Sequence, residues 1–144
     1  MYLAHCSAER KHFLHEHLFE VSRLTGELSR RCGLERAGAA IGLLHDLGKY
    51  SNAFQCYLRQ SQDSREDKPE RGSVDHSSAG AQVVWRALYG RSADHCATAE
   101  LLAMCIASHH SGMIDCLSAG GKNVLLQRME KPEESTNVSE ALAN

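Results

Sequence analysis

Five of the nine histidines in this chain form an ordered series that includes an adjacent His-Asp pair. Neutral imidazole and carboxylate are the ligands that hold catalytic divalent metals when open coordination positions are needed. These residue types therefore predict a metal centre that hydrolyses a phosphodiester. The candidate metal ligands are His17, His45, Asp46, His76, His109 and His110.

Asp46 is the residue on which the predicted chemistry depends most. It lies in an apolar helical stretch, where an ionised carboxylate is costly unless it is paired or bound to a metal. One aspartate can bridge two cations through its two oxygens, and cations about 3.5–4 Å apart stabilise both the attacking and the leaving oxygen of a phosphodiester. Neighbouring helical residues point about 100° apart, so His45 and Asp46 can reach one site only where helix ends converge.

Lys49 follows His45 by four residues and Asp46 by three, which places it on the same side of the helix. A lysine beside a bound phosphate could neutralise developing negative charge or help the leaving oxygen depart. A simple ion pair with Asp46 explains the same spacing equally well. The candidate catalytic residues are Asp46, Lys49 and His45.

Each histidine also has a simpler structural explanation. His17 lies on an apolar helix face and could be a hydrogen-bonded core residue. His76 could mark a helix start, and the pair His109-His110 could complement a helix dipole. These explanations require several unrelated coincidences, so the joint metal centre is the preferred interpretation. The other histidines fit no such pattern and are predicted to be surface residues: His5, His12, His15 and His95.

The elements that position these residues are predicted to be helices. Apolar residues recur at three- and four-residue steps from Leu14 through His17, Val21, Leu24 and Leu28, whereas strand alternation is not convincing anywhere. Gly33 is a plausible stop for this first helix. The fold class is therefore predicted to be all-α. Helices are predicted at 11–32, 35–49, 51–60, 76–88, 93–110 and 123–129, with an exposed loop at 62–74 and a polar tail at 132–144.

Composition limits the class of protein and its means of holding a substrate. The 144 residues suffice for one domain, predicted to span 1–144. The formal charge is −2, whereas a protein that binds long nucleic acid by itself usually has an excess of positive charge. Tight binding of a nucleic acid would therefore require another domain or partner. Neither a membrane span nor a secretory signal is evident, which predicts a cytoplasmic protein. Six scattered cysteines without a Cys-x-x-Cys pair argue against a zinc ribbon.

The motifs resemble the HD superfamily of metal-dependent phosphohydrolases. More narrowly, residues 1–117 are similar to the HD nuclease domain of type I CRISPR systems, which is fused to or partnered with a superfamily-2 helicase. The generic HD pattern is moderately specific, and the Phe-Gln, Asp-His-Ser and His-His-x-Gly motifs narrow it considerably. The resemblance is carried by Tyr2 to His5, Glu16-His17-Leu18, Gly42 to Lys49, Phe54-Gln55, Tyr57-Leu58, Asp75 to Ala81 and Ser108 to Gly112.

The resemblance implies an HD-domain helical bundle that acts on single-stranded DNA during CRISPR interference. The implied activities are endonuclease and 3′→5′ exonuclease, with the helicase and the CRISPR surveillance complex as partners. The implied cofactor is one or two divalent ions (Mn, Ni, Co, Fe or Mg), and several imidazoles favour a transition metal over Mg. In the implied arrangement, one ion is held by His17, His45 and Asp46. Asp46 also bridges to a second ion, which is held by His76, His109 and His110. Lys49 lies near the scissile phosphate.

One departure from the family pattern concerns a late aspartate beyond the His-His motif, which generally completes the first metal site. Asp115 is not a candidate for it, and the chain is short for the family, which predicts that the usual C-terminal helices are missing. Two other functions stay open: an HD-class hydrolase of nucleotides or cyclic nucleotides, and a non-catalytic, degenerate HD module that docks onto a helicase. None of the later acids has a recognisable matching context: Glu130, Glu133, Glu134 and Glu140.

Overall fold

The computed structural model describes residues 1–6, 11–62, 69–70, 72–110 and 112–144. These residues are mainly helical, which confirms the predicted all-α class. Within these ranges, no helix has the length and apolar character needed to cross a membrane. The helices are α1 (Leu14–Ser29), α2 (Glu35–Leu44), α3 (Asn52–Gln62), α4 (Ser77–Leu88), α5 (Ala93–Ala107), α6 (Val124–Met129), α7 (Glu133–Thr136) and α8 (Val138–Ala143), with 3₁₀ helices at Arg30–Cys32 and Leu47–Tyr50.

A small antiparallel sheet precedes the first helix, and the sequence pattern did not predict it. Strand β1 (Leu3–Cys6) pairs with strand β2 (Lys11–Phe13), and His5 lies opposite His12. Strands of four and three residues are too short to show alternation, and β2 occupies the start of the predicted first helix. That helix therefore begins at Leu14 rather than at residue 11.

Helices α1 and α2 form an antiparallel hairpin that turns at Gly33. The positive φ of 73° at Gly33 confirms it as the helix stop. Hydroxyl groups on α1 bond to backbone carbonyls of α2: Ser22 Oγ donates to Ala39 O at 2.8 Å, and Thr25 Oγ1 donates to Gly38 O at 2.7 Å. This close contact brings the N-terminal end of α1 against the C-terminal end of α2.

The predicted apolar stripe of α1 is correct only in the first half of the helix. Leu14 and Leu18 are buried, but Leu24 and Leu28 are 50% and 68% exposed. Small residues, including the buried Gly26, face α2 instead, because a leucine would hold the two backbones apart. Periodicity alone could not distinguish the two faces, since both carry residues at helical spacing.

Helix α2 ends earlier than predicted. It stops at Leu44, a turn follows at His45 and Asp46, and a 3₁₀ helix occupies Leu47–Tyr50. The prediction of one helix through residue 49 was therefore wrong. The backbone rotation at this break points both His45 and Asp46 towards one site, as the geometry of adjacent helical residues requires.

Two glycines allow this break to lie directly against α4. A side chain at Gly48 would collide with the backbone carbonyl of His76, and one at Gly80 would collide with the carbonyl of Leu44. The Gly48 N–H instead donates to His76 O at 3.2 Å. The absence of side chains at these positions thus sets the separation between Asp46 and His76.

The loop predicted at 62–74 lies partly outside the described residues. Gln62 ends α3, and residues 63–68 and 71 are not described. Residues 69–70 and 72–74 have neither helix nor strand, and Tyr57 Oη accepts a hydrogen bond from the Gly72 N–H at 3.4 Å.

The C-terminal segment at 132–144, predicted to be a polar and weakly helical tail, is helical and packs against the rest of the chain. Within it, α7 and α8 bury Thr136, Val138 and Ala141. The buried Gln82 of α4 donates to the carbonyls of Met129 at 3.0 Å and Lys131 at 2.9 Å. Because helices of four and six residues show too little periodicity, the sequence did not predict this packing. The larger core lies between α4, α5 and α6, and it contains Ala81, Val84, Leu102, Ala103, Ile106, Ala107, Leu125 and Met129.

Candidate metal centre

The structure brings the six predicted ligands together, with the five histidines around Asp46. Asp46 is 2% exposed, and its two oxygens face two different groups of histidines. In each group, the potential ligand atoms lie within 4.8 Å of one another. The two groups are His17, His45 and Asp46 on one side, and Asp46, His76, His109 and His110 on the other.

The first group forms where α1 meets the end of α2. His17 Nε2 lies 3.0 Å from Asp46 Oδ2, and His45 Nε2 lies 3.1 Å from the same oxygen. The two imidazole nitrogens are 3.2 Å apart. Three donor atoms therefore surround one small volume, which leaves coordination positions open for water or substrate.

The second group faces the other carboxylate oxygen, Asp46 Oδ1. His109 Nε2 lies 3.3 Å from it, His76 Nε2 lies 3.6 Å away, and His110 Nε2 lies 4.0 Å away. His76 precedes α4, whereas His109 and His110 follow α5. The α4–α5 core therefore fixes the positions of all three rings relative to Asp46.

Backbone carbonyls orient three of the rings through their second nitrogen. His45 Nδ1 lies 2.8 Å from Gly42 O, His109 Nδ1 lies 2.7 Å from Ile106 O, and His76 Nδ1 lies 3.4 Å from Val74 O. With a metal ion bound, an Nδ1–H that donates to a carbonyl would leave the Nε2 lone pair free to bind the ion. This arrangement is usual for metal-ligating histidines.

Buried polar atoms at the centre lack hydrogen bonds of acceptable geometry. These atoms are Asp46 Oδ1, His76 Nε2 and His109 Nε2, even though Asp46 Oδ1 and His109 Nε2 lie only 3.3 Å apart. Leaving buried polar atoms unsatisfied is costly, and most buried polar groups in native proteins have a partner. A cation between these atoms would satisfy them, so the donor set fits a divalent metal.

Burial lowers the pKa of three of these imidazoles and so favours their neutral form. Burial lowers the pKa of His76 to about 4, although the negative charge of Asp46 opposes the shift. Burial also lowers the pKa of His17 and of His110. Metal binding requires unprotonated imidazole, so the lowered pKa values of His76, His17 and His110 favour the protonation state that a ligand needs.

Asp46 stays ionised despite its burial. Burial alone would raise the pKa of this carboxyl, but the close His109 and His45 rings and the charge of Lys49 hold it well below its ordinary range. Its oxygens are therefore anionic at neutral pH. This charge suits a carboxylate that bridges two cations.

Lys49 lies inside the centre and not at its edge. It is only 3% exposed, its Nζ lies 2.8 Å from Asp46 Oδ2, and it donates to Ala4 O at 3.3 Å. The ion pair considered from the sequence is therefore present. Lys49 also lines a cavity of about 420 Å³ beside the centre, so it is placed to meet a bound phosphate as well.

His5 and His12 lie near the centre, although the sequence predicted only surface positions for them. The His5 ring is exposed, yet its centroid is 5.3 Å from that of His17, and His5 lines the same cavity as Lys49. His12 is half-buried, 5.4 Å from the His17 centroid. Only the unpredicted β1–β2 sheet brings them there. His15 and His95 are exposed, as predicted.

Gln55 joins β1 to the 3₁₀ helix that carries Lys49. Its Nε2 donates to Leu3 O at 2.9 Å and to Lys49 O at 2.8 Å, and its Oε1 accepts from the Leu3 N–H at 3.1 Å. Gln55 thus positions the backbone of Lys49 and the strand that carries His5. The sequence contained the Phe54-Gln55 motif but gave no indication of this role.

The carboxylates of the C-terminal segment do not enter the ligand groups. Within the described part of the chain, Asp46 is the only acid in either group. Glu140 instead binds the start of α3, where its carboxylate accepts hydrogen bonds from the backbone and side-chain nitrogens of Asn52. The late aspartate expected from the family pattern thus has no counterpart among these ligands.

Comparison with known proteins agrees with this geometry. The family model described as "Cas3, HD domain" matches residues 4–142. No curated protein matches the chain significantly. The family match confirms the resemblance carried by the sequence motifs, and it extends past residue 117 to include most of α8.

Proposed function

The chain belongs to the family of Cas3 HD domains, and from that premise we propose that it cuts single-stranded DNA in CRISPR interference. Family membership supports a CRISPR-associated HD nuclease domain. The proposed finer activity is endonuclease and 3′→5′ exonuclease. The observation that carries the proposal is Asp46, whose two oxygens face two groups of imidazoles.

We assign two ions to the two groups. His17, His45 and Asp46 would hold one ion, and Asp46, His76, His109 and His110 would hold the other. Bound divalent ions would act as Lewis acids on the phosphodiester and would lower the pKa of water. Imidazole-rich ligands favour Mn, Fe, Co or Ni over Mg.

The residues of the chain prepare the site for this chemistry. Carbonyls bonded to Nδ1 hold His45 and His109 in position, so little reorganisation accompanies binding. The ammonium group of Lys49 would compensate the charge that develops on the phosphate oxygens in the transition state. Attack by water on phosphorus needs no covalent bond to the protein, and none of these side chains is assigned a nucleophilic role.

The cavity beside the centre is suited to a nucleic-acid strand. It is lined by the cationic Lys49, by three imidazoles and by the rings of Phe54 and Tyr57, with no carboxylate among its described lining residues. Positive charge suits the phosphates, and aromatic rings offer stacking surfaces to unpaired bases. An acidic or amide group that could read a ribose or a base edge is missing from this described lining, which disfavours the nucleotide-hydrolase alternative.

A helicase partner is part of the same proposal. The formal charge of −2 gives the domain little general affinity for DNA, so a helicase domain or subunit and the surveillance complex would supply the strand. The cytoplasmic location predicted from the sequence is consistent with this proposed role.

One observation favours a second candidate, a degenerate HD module that docks onto a helicase without cutting DNA. Asp46 is the only carboxylate in the ligand groups of the described residues. With a single carboxylate, the first ion would be held by only three protein atoms.

Cleavage of circular single-stranded DNA distinguishes the two candidates. The purified protein is incubated with EDTA, Mg²⁺, Mn²⁺, Co²⁺ or Ni²⁺ beside the Asp46→Ala variant, with His15→Ala as the matched histidine control. The nuclease proposal expects nicking that needs a metal, is lost in Asp46→Ala and is unchanged in His15→Ala. Folded wild-type protein that cuts with none of these metals would instead support the docking module.

A further inference from the structure

A second cavity, of about 200 Å³, opens on the α6 side of the metal centre. Its lining includes His76 and His110 from the second ligand group. Across from these rings are the cationic side chains of Arg128 and Lys131. The cavity therefore joins the metal centre to a patch of positive charge that the proposed chemistry does not use.

Lys131 has its own counter-ion inside this cavity. Its Nζ lies 2.6 Å from Asp75 Oδ2. Asp75 also accepts hydrogen bonds from the Ser78 N–H at 3.0 Å and from Ser78 Oγ at 2.6 Å. Asp75 and Lys131 thus neutralise each other, and they fasten the segment after α6 to the start of α4.

Arg128 differs from Lys131, because its hydrogen bonds are to neutral oxygens rather than to a carboxylate. Its Nη1 donates to Ser77 Oγ at 3.0 Å and to Ala107 O at 2.7 Å, and it forms no ion pair with any acid in the described part of the chain. A guanidinium has five N–H donors, and Nη2 and Nε are not needed for these two bonds. A half-buried cation without a counter-ion is a favourable place for an anion.

We propose that Arg128 forms a phosphate subsite, which holds a backbone phosphate of the nucleic-acid strand beside the scissile phosphate at the metal centre. This inference rests on the proposed function, since it assumes that the substrate is a strand with several phosphates. Arg128 suits the task because its planar fork can bind two phosphate oxygens at once. The shared cavity lining of His110 and Arg128 makes the path from subsite to metal continuous.

A purely structural role for Arg128 makes a different prediction. Ala107 is the last residue of α5, and its carbonyl is one of those left unbonded at a helix end. Arg128 could simply hold this end, which positions His109 and His110. A residue with only that role would affect metal affinity and hydrolysis of small substrates as much as it affects DNA.

The test measures binding of fluorescent oligothymidylate by anisotropy in EDTA, over a range of salt concentrations. The variants are Arg128→Gln, which keeps a donor for Ala107 O without the charge, and Arg128→Lys, which keeps the charge. The matched control is Arg31→Gln, an exposed arginine beyond the far end of α1. It follows His17 by 14 residues, about 21 Å at helical rise. Manganese affinity and hydrolysis of bis(p-nitrophenyl) phosphate are measured on the same proteins.

The subsite predicts that Arg128→Gln raises the Kd for oligothymidylate about tenfold and lowers the salt slope by about 0.7. Arg128→Lys should keep the wild-type salt slope. In both Arg128 variants, manganese affinity and the rate of small-substrate hydrolysis should stay within about twofold of the wild-type values. Arg31→Gln should bind as the wild type does.

Three results would overturn the subsite: an Arg128→Gln variant that binds DNA as the wild type does, a parallel loss of manganese affinity, or wild-type protein that does not bind the oligonucleotide. Because binding is measured without metal, wild-type protein that binds DNA but never cuts it refutes the nuclease proposal and leaves the subsite supported.

Discussion

The ammonium nitrogen of Lys49 lies 2.8 Å from Oδ2 of Asp46, and both side chains are almost completely buried. Together with the His109 and His45 rings, this pair explains how a carboxylate can stay ionised in the interior when metal is absent. The same oxygen faces His17 and His45, so an incoming cation would share it with Lys49. The ion pair and the metal centre are therefore two uses of one carboxylate.

Replacing Lys49 should destabilise the metal-free protein most. Lys49→Met leaves a buried carboxylate without its cation, and removal of one partner of a buried pair typically costs about 3 kcal/mol or more. The free energy of unfolding in EDTA should fall by about that amount, and Mn²⁺ should restore much of it, because the metal then compensates Asp46. Urea denaturation with and without Mn²⁺ measures both effects.

The matched control for Lys49→Met is Lys122→Met, because Lys122 is an exposed lysine outside the centre. Its unfolding free energy should change by less than about 0.5 kcal/mol. Equal losses in the two variants would show that the Asp46–Lys49 pair is not what stabilises the buried charge.

The glycine at position 48 should control the spacing between Asp46 and His76. A methyl group in Gly48→Ala would collide with the His76 carbonyl, so α4 must shift away from the 3₁₀ helix that contains Gly48. Overpacking of this kind typically costs about 1–3 kcal/mol, and the shift should weaken binding of the ion on the His76 side about tenfold. Calorimetric titration with Mn²⁺ measures the affinity.

Gly120→Ala is the control for Gly48→Ala, since only Ser118 Oγ, at 3.9 Å, approaches an added Cβ there. It should bind Mn²⁺ like the wild type. If Gly48→Ala also binds both ions normally, the close approach of these backbones is not what sets the ligand geometry.

The metal-free protein should lose stability as the pH falls below neutrality. The ordinary pKa of His76 is 6.5, and burial lowers it to about 4 in the folded protein. Between these values the unfolded chain binds a proton that the folded protein does not, so the free energy of unfolding falls as the pH falls. His76 alone accounts for roughly 3 kcal/mol, and the lowered pKa values of His17 and His110 act in the same direction.

Urea midpoints of the EDTA-treated protein at pH 7.5, 6 and 5 measure this pH dependence. The midpoint should decrease at each step. A midpoint that is constant or rises towards pH 5 would contradict the burial of neutral imidazoles.

Residue type and motif order were sufficient to select candidate metal ligands that lie close together in the structure. His17, Asp46 and the other ligands come from four separate segments, and the structure places them in two adjacent groups. The family match confirms the resemblance on which the two-ion interpretation was based. The position of the helix break at His45 was not predicted, because an apolar stretch gives no sign of where the backbone turns.

The supporting residues could not be predicted, since their roles depend on tertiary contacts. Gln55 acts through the edge of a strand too short to recognise, and His5 reaches the cavity only because that strand packs there. Arg128 is 51 residues from its hydrogen-bond partner Ser77, and it belongs to none of the motifs that carry the resemblance. Helices α7 and α8 are too short to show a periodic pattern, so their buried faces could not be predicted either.

The most direct test of the account is the number of manganese ions bound per chain, determined by equilibrium dialysis of the wild type and three variants. We expect two ions for the wild type, one each for His17→Ala and His109→Ala, and none for Asp46→Ala at the same free metal concentration, because Asp46 is proposed to bridge the two ions. Two ions retained by Asp46→Ala, or a single ion on the wild type that His17→Ala and His109→Ala both remove, would contradict this bridging role.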